Sequence, residues 1–248
     1  MESDADRGSG EPLADAAAAA LSPGAERLTA EGDTGNKLSR LHANTVRLEA
    51  FSDGVFAIAL TLLVLDLKVP HLNDKSRHLV VALGHVLWEH WPEYFAFITS
   101  FSSVLIMWTH HHTLMRMVRK SDSLLLFANG FWLLSVTIVP FPTALAADYL
   151  MTTGAKLAAT VYAGTFVLIS ISAYLLLLVV LRDGGGLTVS PKLLRRMKLS
   201  YASGPVIYLV AAALAQLDAW LAMGICTVMW IMWAVTAVVR EEFGEADG

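Results

Sequence analysis

Arg47–Val69 reads RLEAFSDGVFAIALTLLVLDLKV, and this stretch decides the fold class. From Gly54 to Leu65 every residue is apolar or small except Thr61, while Asp53 stands at one end and Asp66 just past the other. Built as a helix at ~1.5 Å per residue, the stretch is roughly 34 Å long, enough to cross a hydrocarbon core of ~30 Å. It is read as a first transmembrane helix. Successive residues turn by ~100°, which lines up Phe51, Gly54, Val55, Ile58, Leu62 and Leu65 on one stripe with Thr61 at its edge. Ser52 and Asp53 fall off that stripe. An ionisable side chain inside a membrane is costly and faces protein or water, so Asp53 is expected to point at neighbouring helices.

The composition agrees with a polytopic membrane protein. Hydrophobic residues make up 55% of the 248, charged ones 16%, and the charges cluster between long apolar runs. A net charge of −4 argues against nucleic acid as a partner. The single cysteine, Cys226, excludes an intrachain disulfide framework or a cysteine-based metal site. Residues 1–43 are rich in Ala, Gly, Asp and Glu and poor in large apolar side chains, so they read as a disordered tail rather than a signal peptide.

Further spans follow along the chain. An interfacial helix is expected over Arg77–Glu89, then spans over Trp91–His111, Ser123–Pro140 (ended by the Pro140-x-Pro142 pair), Leu157–Leu181, Leu199–Leu217 (kinked at Pro205) and Ala219–Val239. The fold class is therefore an all-α membrane protein with six transmembrane helices. Residues 44–240 form the channel-sized helical domain, between the tail 1–43 and a short tail 241–248. With the N-terminus inside, the inner side collects Arg116, Arg119, Lys120, Arg182, Lys192, Arg195, Arg196, Lys198 and Arg240, against Lys68, Lys75, Arg77 and Lys156 outside. The positive-inside rule then puts both termini in the cytoplasm.

Orientation fixes depth. Asp53 lies about 9 Å beyond Arg47 along the first helix. The descending second span brings Trp108 and His110, His111 and His112 to that level, and the ascending third brings Asn129. Satisfying Asp53 in lipid calls for such partners. Arg47, Ser52 and Asp53 are expected to hydrogen-bond with Trp108, with one of the three histidines, and with Asn129. Consecutive histidines on a helix point ~100° apart and cannot all ligate one metal ion. Their alternatives are a hydrogen-bonding role, an interface contact, or a metal, proton or haem role. Asp53 is either a structural anchor or a proton relay or ion site. The stripe, on spacing alone, is either a packing face or a pore wall.

The run Arg47-x-x-x-Phe51-Ser52-Asp53-Gly54-Val55-Phe56-Ala57-Ile58-Ala59-x-Thr61-Leu62 resembles the first-helix signature of the endosomal and lysosomal potassium channel family and its bacterial homologues, which lack a TVGYG filter. The resemblance extends to Trp91-Pro92-x-Tyr94, Ser100-Phe101, Trp108-x-x-His111-His112 and Pro140-Phe141-Pro142-Thr143. It implies a passive, potassium-selective channel in the plasma membrane whose pore is lined by the first helix of each subunit. Ile58, Leu62 and Leu65 then match successive constriction layers, Ile58 the tightest, with Thr61 a polar position one turn above it. FSDG occurs once, so the resemblance implies a homotetramer. Asp66 sits at the expected outer mouth, where it attracts cations. Partners are further copies of the chain and lipid; the cation is permeant potassium, with no cofactor and no enzymatic activity expected. The competing reading is a proton-coupled secondary transporter using Asp53 and a histidine as relay. The unbroken run from Gly54 to Leu65 disfavours it, since such carriers break their helices at the midplane.

Overall fold

The computed structural model describes residues 44–69, 79–119, 121–182 and 190–245, and all of its regular structure is helical. The expected tail 1–43, residues 246–248 of the expected tail 241–248, and the glycine run at 184–186 lie outside the described residues. The first helix, α1, covers residues 44–63 and tightens into a 3-10 turn, Val64–Asp66. Leu67 is already extended (φ −77°, ψ 107°), so the helix stops short of the expected Val69. Pro70 gives the reason: it disfavours helical backbone at the residue before it.

Helix α2 (Leu79–Glu89) leads through His90 into α3 (Trp91–Arg116), which starts with proline in its first turn. Pro92 has no N–H to give to a preceding carbonyl, so the two helices are separate. Helix α4 (Ser123–Thr137) is capped by the Asp122 side chain, which accepts from the Leu125 N–H at 3.0 Å. The expected end of this span at Pro140-x-Pro142 is corrected by the structure. After a two-residue break the chain resumes as α5 (Pro140–Tyr149), with proline in its first turn. A proline there costs nothing, because the first N–H groups of a helix have no helical acceptor. Helix α6 is Ala155–Arg182, α7 is Pro191–Leu214 and α8 is Ala219–Glu245. Helix α7 starts eight residues before the expected Leu199, since Lys192–Lys198 are good helix formers behind a Ser190 cap. Helix α8 runs through 241–245, where the sequence reading places a tail.

Among the described residues three helical segments are long and apolar enough to cross a membrane, Ser123–Tyr149, Ala155–Arg182 and Pro191–Leu214, and α8 is apolar over Ala219–Val235. Helices α1 and α3 carry the polar side chains that lower their hydropathy, and those side chains form the site described below.

Helix α6 is the hub. It packs against α4, α5, α7 and α8, and it buries Tyr162, Phe166, Leu176 and Leu177 completely or nearly so. Small residues, Ala159, Ala163 and Ala173, let its neighbours approach, and Ser172 meets Ser135 of α4 with their hydroxyl oxygens 2.8 Å apart. Close approach through small residues, with interhelical hydrogen bonds, is how helices associate where lipid removes the hydrophobic incentive. Ion pairs tie the ends: Lys68 after α1 to Asp148 of α5, and Arg182 at the end of α6 to Asp122.

At Gly204 of α7 a Cβ atom would stand 3.1 Å from Cβ of Ser170 on α6. Gly204→Val should therefore force the two helices apart, costing about 1–3 kcal/mol as overpacking does, and lower the melting temperature in detergent. Gly130→Ala, where the added atom meets nothing within 4 Å, is the matched control and should hold or raise it. Equal melting temperatures for both variants would contradict the α6–α7 contact.

Candidate functional site

Helix α1 has two faces. Leu48, Ser52, Phe56, Ala59 and Leu63 are buried against the bundle, as expected of an i, i+4, i+8 packing face. The stripe on the other side is uncovered in the single subunit: Phe51 is 64% exposed, Ile58 59%, Leu62 42% and Leu65 73%. Thr61 is exposed beside them and donates its hydroxyl hydrogen to the Ile58 carbonyl at 2.9 Å. Its oxygen lone pairs are what it offers outward. Asp66 closes the 3-10 turn at the far end of α1 from Asp53, and its side chain lies outside the described residues.

The buried face is held by polar groups. His111 Nε2 and Asn129 Oδ1 are 2.8 Å apart; Asn129 Nδ2 donates to Ser52 Oγ at 3.0 Å, and Ser52 Oγ donates to the Leu48 carbonyl at 2.8 Å. Because the amide oxygen can only accept, His111 is the donor in the first of these contacts. The chain therefore runs in one direction, from α3 through α4 to the backbone of α1. All three side chains are buried, and Phe56, His111 and Trp132 close over them with ring centroids 5.3–6.1 Å apart.

A second tie runs along the edge. Trp108 Nε1 donates to Asp53 Oδ1 at 2.8 Å, and His112 Nδ1 lies 2.6 Å from the Glu49 carboxylate. Glu49 and Asp53 are four apart on α1, and Trp108 and His112 four apart on α3, so the two contacts form adjacent rungs. The Trp108 and His112 rings face each other at 6.4 Å.

The structure thus brings together Ser52, Asp53, Trp108, His111, His112 and Asn129, but not the whole expected set. His110 turns the other way, with its ring 5.2 Å from Trp233 and 6.0 Å from Tyr201. Arg47 is exposed, and no hydrogen bond or ion pair joins it to Asp53 or its neighbours among the described residues. A long side chain near a helix end reaches water instead of staying in the bundle. Sequence reasoning missed Glu49, although its i, i+4 spacing from Asp53 puts both on one face. It also missed the knot under the proline motif, where Thr143 Oγ1 lies 2.7 Å from Ser100 Oγ and Ser100 Oγ lies 2.9 Å from the Tyr162 hydroxyl. Among the described residues no three His, Cys, Asp or Glu side chains converge on a possible metal position.

The family model described as the endosomal/lysosomal potassium channel TMEM175 matches residues 47–140, which hold both ties and the uncovered stripe. A potassium channel of Chamaesiphon minutus is 42% identical over 202 residues, covering 78% of this chain and 95% of that protein. A potassium channel of Streptomyces collinus is 46% identical over 117 residues, 47% of this chain and 54% of that one. The crystal structure of a lysosomal potassium-selective channel TMEM175 homologue from Chamaesiphon minutus superimposes with a TM-score of 0.69 at 42% identity, over 79% of this chain and 98% of that one. The class so defined is an all-helical channel protein of membranes. This chain belongs to the TMEM175 family, a family of ion channels and not of enzymes.

Breaking either tie should loosen α1. Interhelical hydrogen bonds in membranes are worth roughly 0.6–2 kcal/mol each, so Asn129→Leu, which removes two, should lower the melting temperature in detergent by more than Asp53→Asn, which can still accept from Trp108. Asp53→Ala should fall between them. A fully stable Asn129→Leu protein would show that the chain from His111 to Ser52 does not hold α1.

Proposed function

We propose that the chain is a passive, potassium-selective channel of the plasma membrane, built from four identical subunits around an axis faced by α1. The observation that carries this reading is the division of α1: one face is tied down by buried hydrogen bonds, and the opposite, apolar face is left largely exposed by the described residues of its own subunit. One stripe cannot enclose a pore, so several copies must surround it. The subunit crosses the membrane six times, on α1, α3, α4 with α5, α6, α7 and α8. Arg116 at the end of α3 and Arg119 just after it, and Arg182 at the end of α6 with Lys192, Arg195, Arg196 and Lys198 in the first turns of α7, support cytoplasmic termini. Residues 44–240 are the channel domain, and 1–43 and 241–248 are its cytoplasmic tails.

In this reading Ile58 forms the narrowest ring, with Leu62 and Leu65 as further layers. An apolar ring offers no ligands to replace an ion's hydration shell, so it closes by dewetting and opens when wetted. Ions that shed water cheaply pass it most easily, which orders potassium ahead of sodium. Thr61, with its hydroxyl hydrogen engaged, presents oxygen to a passing cation, and Asp66 draws cations to the outer mouth. Ser52, Asp53, Trp108, His111, His112 and Asn129 hold the wall and do not touch the ion.

The geometry gives the proton-coupled transporter little support. The indole of Trp108 can donate a hydrogen bond but has no lone pair to receive a proton, and the amide of Asn129 does not titrate. Asp53 and His111 are thus each bonded to a group that cannot pass a proton on, and His112 is bonded to Glu49 and not to Asp53.

In liposomes carrying a potassium gradient, Ile58→Asn should wet the neck, raise resting potassium flux and erode the preference over sodium. Native mass spectrometry of the wild type should give four copies. A folded Ile58→Asn protein with unchanged flux and selectivity would take Ile58 out of the pore, and a conducting monomer would sink the assembly.

A further inference from the structure

On the His110 side of α3 lies a cavity of about 70 Å³, separate from the uncovered stripe of α1. Besides Ser103, His110 and Ser170, its walls are largely aromatic: Trp132, Phe166, Tyr201, Tyr208, Trp230 and Trp233. Two of these carry an unusual burden. The Nε1 atoms of Trp132 and Trp230 are both buried and have no hydrogen-bond partner, although Trp132 is only 1% exposed. Buried N–H donors are nearly always paired in folded proteins, and an orphan calls for an unseen acceptor. Two orphans on the wall of one cavity point to a guest.

The size and chemistry of the cavity narrow what that guest is. A cavity of ~150 Å³ admits benzene, so this space fits a molecule of roughly three or four heavy atoms or a few waters. No Lys, Arg, Asp or Glu side chain lines the cavity, so a charged guest would leave water without a full counter-charge to meet it. A neutral molecule with an apolar body and one accepting oxygen satisfies both the rings and the indoles. Ile106, Ser170, Trp230 and Trp233 are half-buried, so the cavity has an edge at the surface of the bundle through which a guest enters.

We infer that this cavity is a binding site for a short-chain alcohol or a similar small neutral amphiphile, its oxygen accepting from Trp132 and Trp230. The site borders the first helix. Trp132 is the shared wall, packing edge-on against Phe56 of α1 at 6.1 Å and against His111 at 5.3 Å.

The test is photolabelling of the purified full chain with a diazirine-bearing butanol, whose alcohol end enters the cavity while the rest of it stands at the half-buried edge, with adducts located by peptide mass spectrometry and competed by propan-2-ol. The expected adducts fall on Tyr201, Tyr208 or Trp230 and are competed away. Ala173→Phe, which fills the cavity from α6, should abolish them; should that variant not fold, Ile106→Trp at the half-buried edge is read in its place. Trp132→Phe keeps a ring but removes the N–H, and should weaken competition roughly fivefold, as loss of one neutral hydrogen bond does. Adducts that are not competed, that fall outside the cavity, or that persist in a folded plugged variant would overturn the proposal and leave water as the only occupant. Unchanged competition in a folded Trp132→Phe protein would overturn the role of the indole as donor. Because adduct position is read and not ion flux, the outcome is independent of the channel reading.

Discussion

A polar group taken out of water must find its partner inside the protein, and in this subunit that constraint sets where the first helix stands. Ser52 is buried on α1, so its hydroxyl is spent on the Leu48 carbonyl and its oxygen on the amide of Asn129. Asn129 in turn needs a donor for its carbonyl and takes the ring N–H of His111. Each member leaves the next with one satisfied role, so three helices are locked in one register by a single directed chain. Glu49, Asp53, Trp108 and His112 repeat the device along the edge, where partial exposure makes it less demanding. With one face of α1 so occupied, the other is left as a run of apolar side chains that the described residues of the subunit do not cover.

Much of this was legible before any coordinates. The ~100° step of a helix separates Ser52 and Asp53 from Ile58, and simple depth counting brings Trp108 and Asn129 to the level of Asp53. What counting does not supply is rotation. Three adjacent histidines fan out over most of a helix circumference, and which of them meets α1 depends on how α3 is turned by its contacts with α5 and α8. His111 and His112 turned inward to α1 and α4, and His110 turned to α7 and α8. Arg47 was misjudged for a related reason: pattern reasoning assigns a residue to a face, whereas a flexible side chain at a helix end chooses water. The proline pair misled because proline reads as a stop signal, yet at the start of a helix it is welcome, and α5 begins there.

The aromatic cavity was beyond the reach of sequence. Its wall draws on α3, α4, α6, α7 and α8, and no local spacing marks residues that five separate helices bring together. The orphaned indoles are equally invisible in a one-dimensional pattern, since tryptophan in an apolar helix reads as ordinary core or as a membrane-interface anchor.

The uncovered stripe has a thermodynamic consequence for assembly. In water, Phe51, Ile58, Leu62 and Leu65 would be driven together by the release of solvent; in a bilayer the surrounding acyl chains are as apolar as the side chains themselves, and that drive vanishes. Subunits joined in the membrane must then be held by shape and by whatever polar contacts they share, and lipid acts as a competing solvent for the same surfaces. The stoichiometry of such a protein is a property of the protein and its bilayer together, and a change in chain length or packing of the lipid shifts the association equilibrium without altering a residue.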